Sequence, residues 1–207
     1  MEISNNPIIN KIFSIVYNYS TSKPYNTHHI DHIIRVHKLC IKIAKTEKAN
    51  IFILEAAAIL HDLGRFLDDK EDKHEIKSAE KAKEILNNLN IDNNTILLIC
   101  DAILSHRYSK GIIPKTIEGK ILQDADKLDA LGAIGIARVL CHKPNQPLYD
   151  LNSDKNDFEN QSGFALYHFY EKILKLDKLL YTQKAKEIAK ERIAFTQTFL
   201  DELKEEV

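Results

Sequence analysis

Ten residues, Ala56-Ala57-Ala58-Ile59-Leu60-His61-Asp62-Leu63-Gly64-Arg65, limit what this chain can fold into more than any other stretch. They begin as an apolar run and end in a polar cluster. Ala and Leu are the strongest helix formers, so propensity alone sets a helix here. A helix that is apolar on all sides belongs in a core. An imidazole and a carboxylate then follow, and after them Gly64, which can take the left-handed conformation that commonly ends a helix. His61 and Asp62 are therefore expected at the C-terminal end of a buried helix. Buried polar groups must find partners, and a metal ion is one such partner.

The rest of the chain also reads as helices. Asn6-Pro7 is an N-cap followed by proline at the first helical position, with Ile8, Ile9, Ile12, Phe13 and Val16 recurring behind it. Thr27 is expected to cap the next helix, where Ile33, Val36, Cys40 and Ile43 line one face and His32 falls on the same side. Asn50 caps the helix that leads into His61. A charged loop over 68–73 separates it from a helix opened by His74, with Ile76, Ala79, Ala82, Leu86 and Leu89 as its stripe. Asp92 caps a helix closing at His106, and Thr116 caps one that reaches Asp126. Residues 131–140 continue with Gly132 and Gly135, which permit close helix contact or mark a kink. Residues 141–163 lack periodicity, and an ordered domain spends so many residues on a loop when the loop is functional or mobile. Helices over 164–176 and 182–203 follow, the last with Ala185, Ile188, Phe195 and Phe199 as its core stripe. No period-two alternation bounded by turns occurs. The expected architecture is all-α: one domain over 1–207, a bundle of about eight helices with its core at about 27–140 and C-terminal helices at about 161–205.

Composition narrows the function classes. A net charge of -1 gives no basic excess for nucleic acid, so none is expected as a partner. No apolar run approaches the roughly 18 residues that span a bilayer, and Met1 to Asn6 lacks the basic and apolar regions of a signal peptide. Three cysteines without a Cys-x-x-Cys fit small buried thiols in a reducing, cytoplasmic setting.

Three segments carry matching chemistry. His32 lies near the start of its helix, His61 and Asp62 end theirs, and Asp124-Ala125-Asp126-Lys127-Leu128-Asp129 sets an acidic patch in an apolar helical run. Two imidazoles with two carboxylates make a mixed nitrogen and oxygen site. It suits Mn²⁺, Fe²⁺, Co²⁺, Ni²⁺ or Zn²⁺ better than the all-oxygen cages of Mg²⁺ or Ca²⁺. Spacing alone does not choose between Asp124 and Asp126.

The surroundings carry a specific resemblance. His32-Ile33-Ile34-Arg35-Val36, Ala58-Ile59-Leu60-His61-Asp62-Leu63-Gly64-Arg65 and Gln123-Asp124-Ala125-Asp126-Lys127-Leu128-Asp129-Ala130 resemble the H…HD…D signature of the HD-domain metal-dependent phosphohydrolases. The stretch from Asp126 to Arg138 resembles the bacterial YpgQ-type nucleotide pyrophosphatases, and Tyr167-His168-Phe169-Tyr170-Glu171-Lys172-Ile173-Leu174 with Thr182 resembles that subgroup's C-terminal helices. The resemblance covers roughly 27–200. It implies a helical bundle around a metal held by His32, His61, Asp62 and Asp126, the last chosen by the family's Ala-Asp-x-Leu pattern. Two departures stand out. Thr27-His28-His29 replaces the usual Ser/Thr-His-Asp, which leaves the roles of His28 and His29 open. Arg65 stands where many nucleotidases of the superfamily place a glutamate. His-Asp-x-Gly-Arg is instead similar to the His-Asp-x-Gly-Lys of two-metal members, in which further histidines bring a second ion. His74 and His106 occupy the corresponding places, so one ion is implied, and two if both histidines ligate, with Asp62 bridging.

The expected activity is hydrolysis of phosphoric esters or anhydrides, with a nucleotide such as a nucleoside triphosphate as the small-molecule substrate. A bound ion lowers the pKa of water from 15.7 toward about 7 and polarises a phosphoryl oxygen. Asp62 or Asp126 can take a proton from the nucleophile, and Arg65 and Lys127 can neutralise charge building on phosphate. Arg138, His168 and Lys172 are further candidates for substrate contact. Glu55 is expected on a solvated helix face, and His37 as an ordinary histidine. Two other readings of the same residues are a di-iron oxygenase and a non-catalytic nucleotide-binding sensor. A homodimer is one assembly open to the chain, and the sequence does not set the oligomeric state.

Overall fold

The expected caps at Asn6, Asn50, Asp92 and Thr116 are made, and Thr182 makes a further one. Their side chains accept from the backbone N–H groups of Ile8, Ile53, Thr95, Gly119 and Ala185 respectively. Each satisfies a donor that the first helical turn leaves over. Thr27 is the exception: its helix begins at Ile30, with His29 in the cap position and no side-chain cap. The computed structural model describes residues 2–24, 27–67, 73–142, 146–150, 152 and 157–207. Its helices are α1 (Pro7–Thr21), α2 (Ile30–Ala44), α3 (Ile51–Leu60), α4 (Gly64–Leu67), α5 (His74–Asn88), α6 (Asn93–Ser105), α7 (Ile117–Asp129), α8 (Gly132–His142), α9 (Tyr167–Glu171) and α10 (Gln183–Glu206). The described residues contain no strand, and none of their helices is long and apolar enough to cross a membrane. Most of the loop expected over 68–73 lies outside the described residues. The fold is all-α, and the chain divides into two compact units, Met1–Asp126 and Lys127–Val207.

In the first unit α3 is the centre. Every residue from Ile53 to Leu60 is buried, as a sequence apolar at every position but Glu55 requires. It packs on α1, α2, α5 and α6, while α5 pairs with α6 and α4 lies on α5. The start of α7 is fixed by Glu118, which accepts from the Asn50 N–H at 2.7 Å, and by Gln123, which donates to the Ser105 carbonyl at 2.8 Å.

Glu55 departs from expectation. It is buried at 6 % exposure, between the His37 ring at 3.0 Å and the Ser4 hydroxyl at 3.0 Å. An apolar helix can carry this carboxylate because both oxygens find partners. Removing it strands the buried His37 ring and the half-buried Ser4 hydroxyl. Glu55→Ala is expected to lower unfolding stability by about 1–3 kcal/mol, and chemical denaturation of Glu55→Ala, His37→Ala and the double variant should show clear coupling between the two sites.

Gly64 has another purpose than the one read from propensity. Its φ is not positive, and it does not stop a helix. The chain tightens after Leu60 through i→i+3 bonds, with Leu63 N–H donating to Leu60 O, Arg65 to Asp62 and Phe66 to Leu63, and resumes as α4. What Gly64 provides is close approach. A Cβ there would lie 2.3 Å from the His74 carbonyl oxygen and 2.9 Å from the Ser78 nitrogen, and the Gly64 N–H donates to Ser78 Oγ at 2.8 Å. The glycine therefore lets the N-terminus of α5, which carries His74, lie directly against the turn that carries Asp62. Helix α5 is rotated from the expected stripe: Glu75 is buried and Ile76 is 41 % exposed.

The second unit is built on α8 packed along α10. Gly132, at φ +71°, separates α7 from α8, and its N–H donates to Thr196 Oγ1 at 3.2 Å. That bond puts Thr196 in the buried stripe of α10 with Ala185, Ile188, Ala189 and Leu200, and leaves Phe195 54 % exposed, contrary to the sequence reading. The helix expected over 164–176 is broken at Lys172 into α9 and a 3-10 segment, Ile173–Leu179. The buried residues Phe169, Ile173 and Leu176 serve either form. The described part of 141–163 folds back on itself, with Ala165 and Leu166 N–H groups donating to the carbonyls of Pro147 and Leu148.

Candidate metal centre

Five histidines gather around one carboxylate in the first unit. Asp62 comes from the turn after α3 and is 2 % exposed. Helix α2 brings His32, the end of α3 brings His61, the start of α5 brings His74, the end of α6 brings His106, and the turn before α2 brings His28. Ring centroids of His28 and His32, His32 and His61, His61 and His106, and His106 and His74 follow one another at 5.0–5.3 Å. So dense a set of buried imidazoles offers nothing to a hydrophobic core.

The donors fall into two groups, one at each oxygen of Asp62. On the Oδ2 side, His32 Nε2 lies 3.3 Å from His61 Nε2, 3.4 Å from Asp126 Oδ1 and 3.7 Å from Asp62 Oδ2. On the Oδ1 side, His74 Nε2 lies 3.3 Å from His106 Nε2 and 3.3 Å from Asp62 Oδ1, and His106 Nε2 lies 3.7 Å from the same oxygen. The structure thus brings together all six residues read from the sequence as ligands. It places His74 and His106 as a pair, both 2 % exposed.

The orientation of each ring is set from behind. The Nδ1 of His61 faces the Ala58 carbonyl at 2.8 Å and that of His106 faces the Ile103 carbonyl at 2.6 Å. A carbonyl can only accept, so each Nδ1 carries a proton; His61 then presents its Nε2 lone pair to the centre, while for His106 burial is outweighed by the hydrogen bond and charge of Asp62, which hold its imidazole above the ordinary value. His74 Nδ1 faces Glu75 Oε2 at 3.6 Å, and Glu75 is in turn held by Arg107 at 3.3 Å. The residues that follow His74 and His106 in sequence therefore pair with each other and tie α5 to α6.

The electrostatics suit a cation. Burial pushes the Asp62 carboxyl up, but the Arg65 guanidinium and the surrounding imidazoles outweigh it and hold the group well below the usual carboxylate range. Asp126 behaves likewise, burial being overridden by the hydrogen bond and charge of His32. Burial drives His61 down to about 3, so its imidazole is neutral. Ionised carboxylates and neutral imidazoles are the forms that ligate metals. Asp62 Oδ1 is buried and accepts no well-formed hydrogen bond, and the cation beside it is the Arg65 guanidinium, with Nε at 3.0 Å. The cluster is compatible with a divalent metal, and among the described residues His32, His61 and Asp126 form one such group and His61, Asp62 and His106 another.

The HD domain family matches residues 29–131. YpgQ of Bacillus subtilis is 34% identical over 187 residues, which cover 87% of this chain and 84% of that protein. The chain belongs to the HD-domain family. Solved structures agree along nearly its whole length. An HD-superfamily hydrolase from Bacillus thuringiensis is 33% identical with a TM-score of 0.76, covering 96% of this chain and 95% of that one. Bacillus subtilis YpgQ in complex with ADP is 30% identical with a TM-score of 0.73, covering 97% and 95%.

Around the HD centre, two residues gain definition. His28, whose role the sequence left open, places Nδ1 3.1 Å from Asp62 Oδ2. Its neighbour His29 turns away, with Nε2 2.9 Å from the Ser20 carbonyl oxygen. Arg65 sets Nε 3.0 Å from Asp62 Oδ1. The other expected substrate residues have partners within the second unit. The Lys127 ammonium donates to the Leu179 carbonyl at 2.7 Å and lies 4.9 Å from the centre of the Tyr181 ring. Arg138 pairs with Asp129. His168 lies 3.8 Å from Glu171, and Lys172 is exposed.

Proposed function

We propose that this HD-domain protein hydrolyses phosphoric ester or anhydride bonds of a nucleotide, with a divalent transition ion held by His32, His61, Asp62 and Asp126. The observation that carries this reading is the convergence of two imidazole nitrogens and two carboxylates at one point. The binding of ADP by the related YpgQ supports a nucleotide as substrate.

A divalent transition ion bound there supplies a Lewis acid for a phosphoryl oxygen and makes water acidic enough to deprotonate near neutral pH. The protein's own groups do the rest. Asp126, at 22 % side-chain exposure, is the carboxylate that reaches solvent, and it takes the proton as water adds to phosphorus and the P–O bond breaks. Asp62, at 2 %, holds its geometry. The Arg65 guanidinium can turn from Asp62 toward the phosphate and offset the charge that develops on it. Lys127, Arg138, His168 and Lys172 remain candidates for the remaining phosphate and sugar contacts.

The test is metal analysis of purified protein followed by assay against nucleoside mono-, di- and triphosphates and simple phosphoesters, with and without oxygen. Turnover of at least one nucleotide with phosphate or pyrophosphate released, equal in both atmospheres, is the expected result. Strict dependence on oxygen would point to the oxygenase reading, and nucleotide binding without turnover in the metal-replete protein to the sensor reading.

A further inference from the structure

We infer that the Arg65 guanidinium is the resident cation of the second HD subsite, so that the protein carries one metal ion and excludes a second. This rests on reading the His32, His61 and Asp126 group as the metal site, and it concerns the opposite side of Asp62.

Three donor atoms face each other there: Asp62 Oδ1, His74 Nε2 and His106 Nε2. They lie 3.3 to 3.7 Å apart. Ligand atoms about 2.1 Å from one ion stand roughly 3.0–3.4 Å from each other at octahedral or tetrahedral angles, so the spacing is close to what an ion requires. Two of the three are already engaged by one side chain. Arg65 Nε stands 3.0 Å from Asp62 Oδ1, and Arg65 Nη2 stands 3.3 Å from His74 Nε2. Arginine has donors and no acceptor, so in the second contact His74 Nε2 must receive. It receives on the lone pair that a metal would use.

Asp62 explains why a cation is needed on this side. Its carboxylate is 2 % exposed with one oxygen turned toward each donor group, and an ion at Oδ2 leaves Oδ1 a buried acceptor that still needs a partner. A guanidinium is charged at every accessible pH and, unlike an ion, cannot dissociate. It is also tethered: Arg65 follows Asp62 by one turn, and α4 is fixed against α5 through Gly64. The guanidinium is 16 % exposed, enough to reach a substrate phosphate. When it does, the two histidines and Oδ1 are released together, which couples substrate binding to the state of the second subsite.

Mn²⁺ titration of the metal-stripped full-length chain, followed by calorimetry and metal analysis, tests the inference without reference to activity. The wild type is expected to bind one Mn²⁺ tightly. Arg65→Ala is expected to bind a second at least about tenfold more tightly than the wild type does, since a fixed like charge within a few ångströms of the ion is gone. His106→Ala in the same background should abolish that gain. Arg65→Gln, nearer in length, serves if Arg65→Ala loses helical content. Equal second-ion affinity in wild type and Arg65 variants overturns the inference while leaving the metal site standing, as does a gain that survives His106→Ala. A wild type that binds no ion removes the metal reading and this inference with it.

Discussion

His61→Ala should leave the protein folded but without its ion, and slower in hydrolysis by about a thousandfold or more, which corresponds to several kcal/mol of transition-state stabilisation by a metal. His61 is fully buried, its Nδ1 is tied to the Ala58 carbonyl and its Nε2 sits 3.3 Å from that of His32. Alanine removes one of the three imidazoles on the Oδ2 side and leaves Asp62 and Asp126 with one donor fewer to hold an ion. Helical content should persist, because Ile53 to Leu60 remain buried on all sides and alanine is a good helix former. Circular dichroism, metal analysis and turnover read the three consequences separately. His37→Ala is the control. It also removes a buried histidine, one bonded to Glu55, but it should lose stability alone and keep the ion. Wild-type turnover in metal-free His61→Ala would sink the proposed function.

What the sequence made legible follows the range of the forces involved. Capping is local, and Asn6, Asn50, Asp92 and Thr116 all accept from within three residues. Burial of α3 follows from its composition. The six expected ligands converge because the signature around them was specific, though no local force places His74 beside His106. Apart from the cap expected at Thr27, where α2 begins at Ile30 instead, the misreadings are tertiary. Glu55 looked solvated because its partners, His37 and Ser4, are 18 and 51 residues away. Glu75 displaced Ile76 from the stripe of α5 because Arg107, at the end of another helix, draws it inward. Thr196 displaced Phe195 through a single bond to the Gly132 N–H. His28 lies two residues before α2 begins, so helical periodicity could not place it over Asp62.

Gly64→Ala is expected to destabilise the protein by about 3 kcal/mol, a drop of about 6–12 °C in Tm for a chain of this size. The source of the loss distinguishes two accounts of this glycine. If Gly64 served as a left-handed helix stop, alanine would cost about 1–2 kcal/mol of backbone strain and α5 would be untouched. The structure has no left-handed residue there. The penalty comes instead from a methyl placed 2.3 Å from the His74 carbonyl oxygen and 2.9 Å from the Ser78 nitrogen. Both are backbone atoms, which cannot swing aside as a side chain would, so α5 must move away as a unit. That movement also stretches the Gly64 N–H bond to Ser78 Oγ and carries His74 away from Asp62. Gly111→Ala is the matched control, because Gly111 is left-handed at φ +70° with nothing within 4 Å of the added carbon. It should lose only the strain term. Thermal unfolding of both variants decides between the two accounts: equal losses would mean that α5 does not rest on Gly64. A larger loss in Gly64→Ala, with a weakened contact between Arg65 and His74, would show that one missing side chain holds the two halves of the HD centre together.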